Sequence, residues 1–254
     1  MPTALVTGAS AGLGAEFARQ LAAAGHDLVL VARRESRLAS LAEALRSAHG
    51  VEVHVLSADL EDPLAPQTLR EGVRSRNLEV DVLINNAGGA GPDFFEERDW
   101  DAHRRFYELM MISCTALCHT FAPGMQARRY GRIINVSSVA GRIARGGDVS
   151  YGPSKAYLVA LSEALHATLA EHNVHVSALC PGFTHTEFHD QSDSLKEMKA
   201  GTPGFIWYDA ETVVREGLAA VEKGKPVYVS GRLYRWLDPL LQSVLTRRFF
   251  RLSR

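Results

Sequence analysis

The stretch "ALVTGASAGLG", residues 4–14, decides how this chain folds. "ALVT" (4–7) is a short apolar, β-branched run of the kind that forms a buried strand. It ends directly on Gly8, and Gly12 and Gly14 follow before a stretch with helical spacing over 14–24. Glycines in a turn between strand and helix permit positive φ, close helix–strand packing and approach of a pyrophosphate to the backbone. Gly8, Ser10, Gly12, Leu13 and Gly14 are therefore candidate ligand-binding residues.

Further along the chain the same alternation returns. Apolar runs recur at "LVLV" (28–31), "VHVL" (53–56), "VDVLIN" (80–85), "RIINVS" (132–137), "VHVSAL" (174–179) and "PVYVS" (226–230). Stretches with helical spacing lie between most of them, at 35–48, 101–128 and 153–171. Gly25 and Gly50 stand where a left-handed residue closes a helix. Strands alternating with helices predict an α/β fold, a Rossmann-type doubly wound parallel sheet of about seven strands with helices on both faces. No repeat or linker divides the sequence, so residues 1–254 are expected to form one domain, with ligands beyond the carboxyl ends of the strands.

Bulk properties narrow the function. The chain is 46% apolar and 22% charged, which suits a packed core and not a disordered chain. A net charge of -1 gives no reason to expect nucleic acid as a partner. No apolar run approaches the roughly 18 residues of a membrane span, and the N-terminus reads as a strand, not a leader. Cys114, Cys118 and Cys180 lie in apolar contexts and read as buried free thiols, consistent with a cytoplasmic location.

The second strand ends "LVLVARR". A dinucleotide-binding unit for NAD usually carries an acid here to hold the ribose 2′-hydroxyl. This chain has Ala32 followed by Arg33 and Arg34. A carboxylate would repel a 2′-phosphate, whereas a guanidinium grips one through two hydrogen bonds, so the expected cofactor is NADP(H).

In order along the chain, "TGASAGLG", "ADL" with Asp59, "NNAG" (85–88), "INVSS" ending at Ser138, Tyr151 with Lys155, and "PGFTHTEF" (181–188) make this sequence resemble the short-chain dehydrogenase/reductase family, in its single-domain form of about 250 residues. The resemblance implies reversible hydride transfer between a nicotinamide cofactor and a carbonyl or alcohol. It further implies that Asp59 and Leu60 meet the adenine, that Asn86, Ala87 and Gly88 line the cofactor cleft, that Pro181, Gly182 and Thr184 contact the cofactor, and that Thr186 bonds the carboxamide. Homodimers or homotetramers are common in the family.

The chemistry of "SYGPSK" (150–155) agrees. Reducing a ketone leaves an alkoxide that needs a proton, and a phenol near pKa 10 is a sluggish donor or acceptor at neutral pH. Residues i and i+4 share a helix face, so Lys155 lies beside Tyr151 and its charge favours the phenolate. Ser150 is expected to cap this helix, and Pro153 fits its first turn. Ser138 can donate to the carbonyl oxygen. Ser138, Tyr151 and Lys155 are the predicted catalytic residues, with Tyr151 as general acid/base; Tyr151 and Lys155 also reach the cofactor.

One position departs from the family pattern. Most relatives have an asparagine on the helix before "RIINVSS" that holds a water linking the lysine to solvent; here that position is Met110. Ser113, one turn on, is a candidate substitute. Met110 supports a second reading, a catalytically weakened NADP(H)-binding sensor or scaffold.

Phe94, Phe95, Val139, Ile143, Phe183 and Phe188 stand where relatives line the substrate cleft and suggest a medium-sized, largely apolar ketone or 3-oxoacyl substrate. Arg142 and Arg145 read as solvated loop residues. His185 and His189, four apart without an HExxH-type helix, do not make a metal site. Residues 188–207 read as a substrate lid. The tail, 231–254, mixes Trp236, Leu240, Leu241, Leu245, Phe249 and Phe250 with Arg247, Arg248, Arg251 and Arg254. It is expected to pack on its own body or a partner subunit rather than on an anionic membrane.

Overall fold

The computed structural model describes residues 1–190, 196 and 200–243. In chain order the strands and helices are β1 (Thr3–Thr7), α1 (Gly12–Ala23), β2 (Asp27–Ala32), α2 (Glu35–His49), β3 (Val53–Ser57), α3 (Ala65–Arg74), β4 (Val80–Asn85), α4 (Trp100–Tyr107), α5 (Ser113–Arg128), β5 (Gly131–Val136), α6 (Tyr151–Leu169), β6 (Val174–Cys180), β7 (Thr184–His185), β8 (Tyr208–Asp209), α7 (Ala210–Glu222), β9 (Val227–Val229) and α8 (Arg232–Gln242). Seven strands form one parallel sheet in the order β3-β2-β1-β4-β5-β6-β9, and β7 pairs with β8 in a separate two-stranded unit.

Residues that alternate along each strand serve opposite layers, which is why the strands read as unbroken apolar runs. Ala4, Val6, Leu28 and Leu30 pack with Phe17, Leu21, Leu38, Leu45, Val214 and Val221 of α1, α2 and α7. Leu5, Val29 and Val31 face the other way, onto Leu69, Val73, Leu117, Phe121 and Met125 of α3 and α5. Each such fully buried side chain stabilises the fold by about 1.5–3 kcal/mol. Strand order reverses about β1, so the β1 and β4 carboxyl ends flank a crevice between the two helical layers.

The seven strands lie where the apolar runs predicted them, and three departures concern helices. The stretch 101–128 is two helices joined by a π-helical turn, Glu108–Ile112, which contains Met110. Helices α3 and α7 were not apparent from spacing. Of the expected lid, 191–195 and 197–199 lie outside the described residues, as do 244–254 of the tail. Among the described residues no helix is long and apolar enough to cross a membrane.

Candidate active site

The first turn of the fold supplies a cradle. Gly8 and Gly12 have φ of 66° and 52°, a region costly for residues with a Cβ. A Cβ on Gly14 would stand 2.2 Å from the Gly8 carbonyl oxygen, and one on Gly8 would stand 2.7 Å from Asn86 Nδ2. The start of α1 has no side-chain cap and no acid in its first turn, so its N–H groups remain available to an anion. Thr7 pins the neighbouring loop: its hydroxyl accepts from the Asn86 and Ala87 N–H groups at 2.9 and 3.0 Å. Asn86 Nδ2 in turn donates to the Thr7 carbonyl at 2.9 Å. Across the crevice, Thr186 lies within 3.2 Å of the point a Gly12 Cβ would occupy. Thr184 is buried and donates to the Gly182 carbonyl at 3.0 Å. This donor set fits a pyrophosphate-bridged dinucleotide, whose phosphates the Gly8–Gly14 turn would hold.

The second cluster lies at the carboxyl end of β5. Ser138 opens a short turn, Val139–Gly141, and its hydroxyl accepts from the Ala140 N–H at 3.1 Å. That turn sits directly on α6, because Gly141 has no side chain: a Cβ there would be 2.6 Å from the Lys155 carbonyl carbon. Ser137 donates to the Lys155 carbonyl at 2.7 Å, and a buried chain from Asn85 through Asn135 to Ser162, with contacts of 2.9 Å, ties β4, β5 and α6 together. Tyr151, Ser138 and Lys155 are thereby brought into one cluster. The Ser138 side chain favours the ionised form of the Tyr151 phenol. The Lys155 ammonium stands 5.6 Å from the centre of the Tyr151 ring and donates to the Val136 carbonyl at 2.8 Å.

Electrostatics here differ from the expectation drawn from i, i+4 spacing. Burial pushes the Tyr151 phenol up to about 12, outweighing the lowering by Ser138, and Asp148 pushes it the same way. Burial also pulls the Lys155 ammonium down to about 8. Desolvation is the larger effect: Lys155 is buried, and Tyr151, half-buried, has protein packed around it. The helix cap differs as well. Ser150 makes no cap bond; Asp148 accepts from the Gly152 N–H at 2.8 Å, and the Ser150 hydroxyl instead accepts from Tyr107 at 3.4 Å.

Met110 is 2% exposed, and its sulfur and the Lys155 ammonium both approach the point a Gly88 Cβ would occupy, at 3.2 and 3.7 Å. Ser113 does not take over the asparagine's place, because its hydroxyl donates to the Leu60 carbonyl at 2.8 Å.

The arginines after β2 diverge. Arg33 turns to Glu61 and Asp59, at 3.3 and 3.7 Å. Arg34 folds over the glycine turn, donating to the Ser10 hydroxyl from Nε and Nη2 at 3.1 and 2.9 Å. Arg37, which spacing did not single out although it follows Arg34 by one helical turn, joins Arg34 on Glu187.

Of the expected cleft residues, Phe188 lies against Tyr151 with its ring tilted, ring centres 5.8 Å apart. Phe94 and Phe95 are exposed and continue through His103 and Trp100 to Tyr107, beside Ser150. Phe183 packs on Trp207, and Val139 packs against the satellite core of Val159, Ala178 and Cys180. Ile143 is half-buried in the loop after the Ser138 turn. Arg142 is not a solvated loop residue: it forms a two-pronged ion pair with Asp238 of α8 at 2.9 and 2.8 Å. Tyr234 of α8 fills the space left by Gly182, where a Cβ would be 2.0 Å from its ring. The described part of the tail thus packs on the body, over the Ser138 turn.

A family model for short chain dehydrogenases matches residues 2–197. This chain belongs to the short-chain dehydrogenase/reductase family. It is 29% identical to the 3-oxoacyl-acyl-carrier-protein reductase FabG of Escherichia coli, over 91% of this chain and 96% of that one. Among solved structures, a short-chain dehydrogenase from Sphingobium yanoikuyae in complex with NADPH is 32% identical, with a TM-score of 0.83 over 96% of this chain and 95% of the other. The bulky-bulky ketone specific alcohol dehydrogenase from Comamonas testosteroni is 28% identical, with a TM-score of 0.79 over 96% and 94%. The chain is therefore an oxidoreductase of a family that acts on carbonyl and alcohol groups and uses nicotinamide cofactors.

Proposed function

We propose that this chain is a single-domain, NADP(H)-dependent reductase of a medium-sized, largely apolar ketone or 3-oxoacyl substrate. One observation carries the reading: Tyr151, Ser138 and Lys155 gather in a single cluster at the strand ends, with the Phe188 ring beside Tyr151. The cofactor, when bound, supplies the hydride. Ser138 donates to the substrate oxygen and fixes its position. Tyr151, protonated throughout the neutral range because burial raises it to about 12, gives the proton to that oxygen. Lys155 in its charged form stabilises the phenolate left behind.

Support for NADP(H) comes from Ala32 in place of an acid, from Arg34 and Arg37 beside Ser10, and from the NADPH complex of the Sphingobium relative. Support for an apolar substrate comes from Phe188 and the exposed aromatic run at Phe94 and Phe95. The test is a screen of NADPH oxidation over ketones, aldehydes and 3-oxoacyl esters. Turnover on at least one bulky apolar class is expected. Tight NADPH binding with no turnover on any compound would replace the reductase with a cofactor-binding scaffold.

A further inference from the structure

Residues Thr186, Glu187 and Phe188 touch three parts of the molecule at once. Thr186 lies against Gly12 of the glycine turn, and Phe188 faces Tyr151. Between them the Glu187 carboxylate accepts from Arg37 Nη1 with both oxygens at 3.0 Å and from Arg34 Nη1 at 3.3 Å. Arg34 gives its other edge to Ser10. Arg37 also borders a surface groove of ≈ 410 Å³ that Ser10, Arg19, Ser36 and Ser40 line with cations and hydroxyls. Two guanidinium groups against one carboxylate leave this corner net positive, and the guanidinium fork matches a phosphate as well as a carboxylate.

We propose that Glu187 is an internal competitor of the cofactor's 2′-phosphate. The carboxylate and the phosphate exchange on Arg34 and Arg37, and the exchange is felt at Tyr151 through Phe188. A phosphate, with a charge near -2, displaces a single carboxylate from two exposed arginines. Release of Glu187 frees the short segment whose Phe188 N–H donates to Thr186 Oγ1 at 3.3 Å. A cofactor without the 2′-phosphate leaves the carboxylate where it is. The inference rests on the NADP(H) reading and makes Glu187 a specificity-determining residue that works through its arginine partners.

Calorimetric titration of the full chain separates the two ideas, with adenosine 2′,5′-bisphosphate and adenosine 5′-phosphate as probes. The wild type is expected to prefer the bisphosphate; equal affinity for both would overturn the NADP(H) reading itself. Glu187→Gln is expected to bind the bisphosphate more tightly, on the order of 3- to 10-fold for two exposed ion pairs removed from competition, with adenosine 5′-phosphate unchanged. Glu61→Gln, which removes a carboxylate 3.3 Å from Arg33, is the control for general charge and should leave both affinities alone. A wild type that prefers the bisphosphate while Glu187→Gln binds it no better, or while both variants tighten alike, rejects the competitor. Hydrogen exchange reads the second half: the bisphosphate should speed exchange at the Phe188 amide in the wild type and not in Glu187→Gln. Unaltered exchange in the wild type would disconnect the arginine corner from Tyr151.

Discussion

Charged and titratable side chains gather at the ends of β5 and of β2, yet the two places are built in opposite ways. Behind β5, Lys155 is buried and donates to the Val136 carbonyl, Tyr151 is half-buried beside it, and burial moves the phenol up to about 12 and the ammonium down to about 8. Beyond β2, Arg33, Arg34, Arg37 and Glu187 are about half exposed, and they meet in pairs that water and salt screen. An exposed ion pair contributes about 0–1 kcal/mol, so its partners can be exchanged for a ligand at little cost. Enclosure suits proton transfer, which needs one geometry; exposure suits selection of a cofactor, which needs an exchangeable one.

Four measurements can break or sharpen that contrast. The largest effect belongs to the enclosed end. Tyr151→Phe should lower kcat for reduction by about 10²- to 10⁴-fold, with NADPH affinity unchanged, because one hydroxyl is lost and the ring stays. Substantial residual turnover would mean the proton comes from elsewhere.

At the exposed end, Arg34→Ala combined with Arg37→Ala should weaken NADPH binding by about 1–3 kcal/mol and leave NADH nearly untouched. If calorimetry finds the same loss for both cofactors, these arginines do not read the 2′-phosphate.

The third is a pH profile. Lys155 has a depressed pKa, so it is charged below about 8 and neutral above. Reduction should therefore hold steady toward neutral pH and fall above about 8, approaching a tenfold loss per unit. The phenol, raised to about 12, stays protonated over the same range and contributes no fall of its own. A profile flat to pH 10 would show that the Lys155 charge does not assist the proton donor.

The smallest effect is expected at Arg33, which is 64% exposed and already paired with Glu61 and Asp59. Arg33→Ala should change NADPH affinity by less than about 1 kcal/mol. A loss as large as that of the Arg34 and Arg37 variant would place the phosphate on the adenine side instead.

Strands were legible because a parallel strand buried on both faces is largely apolar, as in "LVLV" and, despite Asp81 and Asn85, "VDVLIN". The glycine turn was legible because glycine takes the positive φ of Gly8 and Gly12 without the strain a Cβ brings. Helix α3 is less legible, because it is short and carries a narrow apolar stripe, Ala65, Leu69 and Val73, among polar residues. The break at Glu108–Ile112 escaped notice, because "YELMMISC" carries no proline or glycine to announce a π turn.

From the residues alone came the parallel α/β order, the glycine cradle and the pairing of Tyr151 with Lys155, since short-range periodicity and backbone sterics dictate all three; Ser138 joined that pair only through the resemblance to the family. Tertiary structure decided the rest. Asp148 rather than Ser150 caps α6, Ser113 is turned to Leu60, Arg142 is locked to Asp238, and Glu187 sits on Arg34 and Arg37. Each of those is a choice among several reachable hydrogen-bond partners, settled by which groups packing brings within about 3 Å. The Tyr151 shift belongs with them: spacing sets the neighbour, but the depth of burial sets the sign.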